Sequence, residues 1–188
     1  MKSIVRSVGE VVMPEFGNQM LYMHPLDVQN PVMPKEFKRW DGLVHQLMKR
    51  VPLTEGEVYI TIDEKLLKPG TTHRRPGAHI DGIWDPKLVD HDDSPGHRTH
   101  LFSKNPGGGL LLVSNAVGCT AYPGEFEGSP GTGGDCEHMR KQFSDALTMQ
   151  ASTVYLCNVF GIHESIPVTQ PVQRSLVRIS LPEQAMVN

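Results

Sequence analysis

Several absences narrow what this chain can be. No segment approaches the roughly 20 apolar residues of a bilayer-spanning helix, and the opening MKSIVRSVGEVVMPEF meets charge before any long apolar stretch forms. No secretory leader or membrane partner is therefore expected, and the chain reads as cytoplasmic. Positive charge is not in surplus: 18 Lys and Arg stand against 21 Asp and Glu, a net charge of −3. That argues against a general grip on nucleic acid, which needs a basic excess. The three cysteines, Cys119, Cys136 and Cys157, are odd in number and lack CxxC spacing. A disulfide framework and a cysteine-based structural zinc site are thus not expected. Cys119 and Cys157 read as buried thiols, and Cys136, after a glycine-rich stretch, as exposed. No internal repeat is visible.

What is present is a chain of 188 residues, long enough for one domain with a sizeable core. Short β-branched runs dominate: Val58–Ile62, Gly109–Val113, Thr153–Cys157 and Leu176–Ser180, each bounded by glycine, proline or asparagine turns. Two segments carry helical spacing instead. Pro34 to Arg50 places Phe37, Trp40, Val44, Leu47 and Val51 on one stripe, and Asp135 to about Gln150 places Met139, Phe143 and Leu147 four apart. The expected fold class is mainly β with supporting helices, an antiparallel sandwich or jelly roll. Asp85 to Pro106 is polar and aperiodic, and reads as a long surface loop. His73-Arg74-Arg75 reads as a solvated basic loop.

The chemistry concentrates in three residues. His79 and Asp81 are two apart, so a β-strand would point both to one face. His163 follows a β-rich run, and a late strand of a barrel-like fold can return beside an early one. Two imidazoles and one carboxylate are the set that holds ferrous iron on one face and leaves the other open. A rival set, His91, His97 and His100, has neither cysteine partners nor regular spacing. A surface salt link is the plain alternative for His79 and Asp81.

His163-Glu-Ser-Ile-Pro-Val-Thr-Gln-Pro-Val-Gln-Arg174-Ser-Leu resembles the closing motif of the Fe(II)- and 2-oxoglutarate-dependent oxygenases, in their prolyl-4-hydroxylase-like branch. Leu111-Leu-Val-Ser-Asn115 and Gly118-Cys-Thr-Ala-Tyr-Pro123 resemble the strand pair between the two ligand motifs of that branch. The resemblance runs from about Tyr59 to Pro182. It implies a double-stranded β-helix, or cupin-like jelly roll, over residues 51–182 of a single domain spanning 1–188, with residues 1–50 as an N-terminal extension carrying a supporting helix. It also implies Fe(II) on His79, Asp81 and His163, 2-oxoglutarate and O2 as cosubstrates, and hydroxylation of a C–H bond with release of succinate and CO2.

One departure from the pattern leaves the cosubstrate clamp open. The branch places its arginine ten residues after the distal histidine, where this chain has Gln173, with Arg174 eleventh. Strand parity turns Arg174, Leu176, Arg178 and Ser180 inward, so Arg174 is the first choice for the far carboxylate of 2-oxoglutarate and Arg178 the second, with Ser180 or Tyr59 as a hydroxyl donor. Trp84 and Arg75 are candidate contacts for a small-molecule, amino-acid or peptide-like substrate. Asp85–Pro106 and Gly124–Gly134 are candidate lids. The alternatives are a cupin-like metalloenzyme that does not use 2-oxoglutarate and a non-catalytic jelly-roll binding protein.

Overall fold

The alternation of Val58, Ile60 and Ile62 with Tyr59, Thr61 and Asp63 gives the longest strand two faces, and the rest of the architecture is built on them. The computed structural model describes residues 1–82, 108–182 and 185, and the backbone alone of 83–84 and 97–98. Among the described residues the strands are, in order, β1 (Lys2–Ser3), β2 (Val5–Glu10), β3 (Met20–Asp27), β4 (Glu57–Leu67), β5 (Ile83–Trp84), β6 (His97–Arg98), β7 (Gly109–Ser114), β8 (Cys119–Tyr122), β9 (Gly124–Glu125), β10 (Leu147–Thr148), β11 (Thr153–Asn158), β12 (Ile162–Ser165) and β13 (Val172–Leu181).

A six-stranded antiparallel sheet in the order β2-β11-β7-β13-β4-β3 faces a smaller sheet, β10-β8-β12. Their facing sides pack Leu110, Leu112, Tyr155 and Cys157 of the large sheet with Cys119, Ala121 and Met149 at the small one. The fold is mainly β and of jelly-roll type, as the strand pattern implies. The N-terminal segment does more than support the core. Its β2 and β3 form the two outer strands of the large sheet, beside β11 and β4.

On the outer face of the large sheet, Val58, Ile60, Ile62, Val177 and Ile179 are wholly buried against Trp40, Leu43, Val44 and Leu47. Burial of each such side chain contributes about 1.5–3 kcal/mol. These partners lie on a 3-10 turn, Lys35–Trp40, that runs directly into the α-helix α1 (Asp41–Met48). The helix expected over residues 135–150 does not form. A 3-10 helix covers Glu137–Gln142 only, and the chain turns extended at Phe143. Phe143 leaves the helix to stack on Tyr122 at 4.5 Å and to meet Phe126 edge-on at 5.2 Å. Leu147 then pairs with Ala121 as a strand. A four-residue apolar spacing thus serves a short helix and an extended segment in succession.

Among the described residues no helix is long and apolar enough to cross a membrane. All three cysteines are free and buried. Cys136, expected outside, is fully enclosed, because its N–H donates to Ala78 O at 2.8 Å and draws it under the ligand strand.

Candidate metal centre and cavity

His79 sits on an extended segment rather than in a regular strand. It forms an isolated antiparallel bridge with His163 of β12 on one side and with Asp135 on the other. The two histidines exchange backbone hydrogen bonds, each N–H donating to the other's carbonyl at 2.9 Å. A directly opposed pair shares one face of a sheet, and here the ring centroids lie 4.7 Å apart.

Each imidazole is aimed by its own strand. Nδ1 of His79 donates to Gly77 O at 2.7 Å, and Nδ1 of His163 donates to Gly161 O at 2.9 Å. A carbonyl only accepts, so in both rings the proton stays on Nδ1 and the Nε2 lone pair faces the centre. Asp81 completes the group, its Oδ2 at 3.7 Å from His163 Nε2. One donor atom from each of His79, Asp81 and His163 lies within 4.8 Å of the others, which is a set able to hold a metal ion. Two nitrogens and one carboxylate oxygen on one side of a cavity fit a facial site with open positions. Burial, reinforced by the charge of His163, brings the His79 imidazole down to about 4, so its lone pair is available at neutral pH. Burial alone would raise the Asp81 carboxyl, but the charges of Arg178 and the two histidines outweigh it and hold the group well below the usual carboxylate range. Arg178 Nη1 donates to Asp81 Oδ2 at 3.2 Å.

The segment ahead of His79 is tied down from behind. Glu137 accepts the Ala78 N–H at 2.6 Å, and Ile80 N–H donates to Gly134 O at 2.9 Å. Gly77 has φ +82°, and a Cβ there would lie 3.1 Å from Glu137 Oε1, so both backbone and space call for glycine. Arg140 joins this strap to the other ligand strand. Its Nη2 meets Glu137 Oε1 at 2.5 Å and Glu164 Oε2 at 2.8 Å. Glu164 follows His163 directly, so one guanidinium spans the neighbours of both histidines. The Gly124–Gly134 stretch, expected as a lid, supports this strand instead.

The triad opens on a cavity between the two sheets. Arg174 and Arg178 both line it, with Leu176 between them, as strand parity implies. They stand at different ends. Arg178 is at the triad. Arg174 lies four residues along β13, about 13 Å of strand, and is 2 % exposed. Its Nε donates to Ser114 Oγ at 3.0 Å and its Nη1 to Gly118 O at 3.2 Å. The guanidinium lies against Gly118, where a Cβ would come within 2.5 Å of Nη1. Burial lowers the Arg174 guanidinium from its ordinary value. Cys119 also lines the cavity, but burial pushes its thiol up to about 12, so it is no thiolate ligand at neutral pH.

Other expected site residues fall elsewhere. The Tyr59 hydroxyl donates to Glu57, and Tyr59 does not line the cavity. Ser180 is buried near Met23, with Oγ 4.0 Å from its sulfur, also away from the cavity. Arg75 donates to Gly133 O at 3.0 Å, on the support side. The Trp84 side chain and the imidazoles of His91, His97 and His100 lie outside the described residues, as does the Asp85–Pro106 loop apart from the His97–Arg98 backbone.

Sequence reasoning missed Thr61, Asp63 and Arg74, which line the cavity, and the buried His73 beside them. The first two were within reach. They occupy the alternate positions of β4 opposite Val58, Ile60 and Ile62, and an aspartate inside such a strand asks for a partner. His73 and Arg74, expected in a solvated loop, lie instead against the sheet, with His73 buried. The loop is drawn in because Gly70 N–H donates to Val168 O at 2.8 Å and Val168 N–H to Thr71 O at 3.0 Å. The Pro-Val-Thr turn thereby seats residues 70–74 against the sheet.

No protein-family model and no curated protein matches the chain. Solved structures similar to it include the following two. One is EvdMO1, at 15 % identity and a TM-score of 0.36, covering 66 % of this chain and 27 % of that one. The other is AviO1 from Streptomyces viridochromogenes Tue57, at 14 % identity and a TM-score of 0.41, covering 96 % of this chain and 76 % of that one.

Proposed function

We propose that this chain is an Fe(II)- and 2-oxoglutarate-dependent oxygenase that hydroxylates a C–H bond of a small substrate. The observation that carries the reading is the convergence of His79, Asp81 and His163 on one side of a cavity whose other end holds a buried arginine. When bound there, ferrous iron with 2-oxoglutarate and O2 would supply oxidative decarboxylation to succinate and CO2 coupled to hydroxylation. The protein's part is to bind, orient and shield.

His79 and His163 would present Nε2 to the ion, and Asp81 one carboxylate oxygen. Arg178 holds the Asp81 carboxylate in place, which removes it from competition for the cosubstrate. Arg174 then takes the far carboxylate of 2-oxoglutarate. Ser114 and Gly118 fix its fork from behind, so little freedom is lost when a planar carboxylate docks. Leu112 and Leu176 supply apolar wall between the two ends.

The test is succinate formation from 2-oxoglutarate by protein reconstituted with Fe(II), together with the weak visible band expected when 2-oxoglutarate chelates the anaerobic iron form. Asp81→Ala should abolish both. Arg174→Gln should raise the 2-oxoglutarate concentration needed for the band by about tenfold or more, the scale of one lost charge-assisted carboxylate pair, with metal content unchanged. Bound iron with neither band nor succinate would favour a metalloenzyme that does not use 2-oxoglutarate.

A further inference from the structure

A second polar cluster stands beside the metal centre, on the cavity side of β4 and the turn after it. Asp63 is 1 % exposed. Its Oδ2 lies 3.2 Å from Lys65 Nζ and 3.3 Å from Arg74 Nη1, and its Oδ1 faces His73 Nε2 at 3.2 Å. Asp63 and the His73 imidazole are sealed, whereas the side chains of Arg74 and Lys65 remain 38 % and 45 % exposed. Arg74 lines the same cavity as the triad. Burial lowers the His73 imidazole from its ordinary range, so it stands as a neutral partner of Asp63 rather than as a third cation.

The charges of the cavity do not cancel. Arg74, Arg174 and Arg178 face Asp63 and Asp81, one cation more than anions, and Lys65, which does not line the cavity, adds another against Asp63. If the cosubstrate reading is right, Arg178 is matched by Asp81 and Arg174 by the far carboxylate of 2-oxoglutarate. What stays unmatched is the pair of cations sharing the single carboxylate of Asp63. Among the described residues Arg74 gives only Nη1 to Asp63, which leaves a further edge of its planar fork for a second oxyanion. Arg74 thus both lines the cavity and stays partly exposed, and Lys65 is partly exposed beside it.

We propose that Arg74, with Lys65 beside it, forms a second oxyanion-binding site on the cavity wall, which takes a carboxylate or phosphate group of the molecule to be oxidised, and that Asp63 and His73 are its positioning residues. The site rests on the oxygenase reading only for what it serves; its affinity for an anion does not depend on iron or 2-oxoglutarate.

The test therefore uses the full-length, metal-free, 15N-labelled protein, titrated separately with acetate and with inorganic phosphate while backbone amide shifts are followed. Saturable shifts over residues 61–75 are expected with at least one anion, and the stronger arm tells a carboxylate substrate from a phosphate ester. Arg74→Gln, at a partly exposed position that should not endanger folding, is expected to weaken this binding about tenfold. Arg74→Lys should recover part of the phosphate response, and Arg174→Gln should leave residues 61–75 responsive. Shifts that saturate at the same anion concentration in Arg74→Gln, shifts lost only in Arg174→Gln, or no saturation with either anion would overturn the proposal. Because succinate formation is read separately, active enzyme without anion binding at Arg74 would sink this site alone. Anion binding without succinate would sink the oxygenase reading alone.

Discussion

Asp63 and Glu64 are neighbours on β4, both buried, and they face opposite ways. Glu64 looks outward, toward the α1 side. It accepts from Gln19 N–H at 2.8 Å, Gly17 N–H at 3.1 Å and Ser175 Oγ at 2.7 Å, and it pairs with Arg39 Nη2 at 2.5 Å. Every one of these donors ties the N-terminal segment or β13 to β4, and the Glu64 side chain is 0 % exposed. Asp63 looks inward, and its two cations, Arg74 and Lys65, stay partly exposed. The pair teaches how a buried charge can be read. Closed off by backbone N–H groups, a hydroxyl and one guanidinium, it is a fastening. Held by cations that still face open space, it is a candidate site.

The sharpest way to break this comparison is Glu64→Gln. Removing one partner of a buried, hydrogen-bonded pair is expected to cost about 3 kcal/mol, read as a lower urea midpoint, while metal affinity at the inner face stays unchanged once the protein is folded. A variant that loses metal affinity at full stability would erase the distinction between the faces.

A second, smaller effect concerns the strap. Arg140→Ala is expected to weaken Co(II) or Mn(II) affinity by roughly tenfold, at the lower end of what outer partners of metal ligands contribute. It should change stability by less than about 1 kcal/mol, since the Arg140 guanidinium stays partly exposed. Arg140→Lys should restore little of the affinity, because one ammonium cannot span Glu137 and Glu164 as the fork does. A loss of stability with unaltered metal affinity would make the strap a fastening like Glu64.

The smallest effect is one of pH, on metal-free protein. His79 is held at about 4 in the fold against an ordinary 6.5, and His73 is lowered too. Unfolded imidazoles take up protons as pH falls through 6.5, and the folded ones do not. Stability is therefore full above that value and declines as pH falls toward 4, by about 1 kcal/mol over the first unit. Urea midpoints from pH 7.5 to 4.5 should show the slope, flattened in His73→Gln and untouched in Glu64→Gln.

Much of this arrangement is legible in the chain. The triad residues are readable because metal chemistry restricts residue type and spacing, and the facing of Arg174 and Arg178 because strand parity has only two answers. Which arginine stands at which end is not readable, since it depends on Asp81 being near enough to engage Arg178. The Asp63 cluster escaped because its members come from a strand and a turn brought together by the backbone bonds of Val168. The second helix was misread because Phe143 and Leu147 satisfy helical spacing and strand pairing alike.

The bridge between the histidines carries a hidden symmetry. Gly77-Ala78-His79 and Gly161-Ile162-His163 are the same three-residue device, each histidine leaning on the carbonyl two residues back. Across an antiparallel bridge the two copies are related by a local two-fold axis. That axis carries Asp81, two residues past His79, onto Ser165, two residues past His163, which also lines the cavity. An aspartate at both places would make a closed, symmetric cage of four ligands. The serine breaks the symmetry, so one arm of the pair carries a carboxylate and the other a hydroxyl.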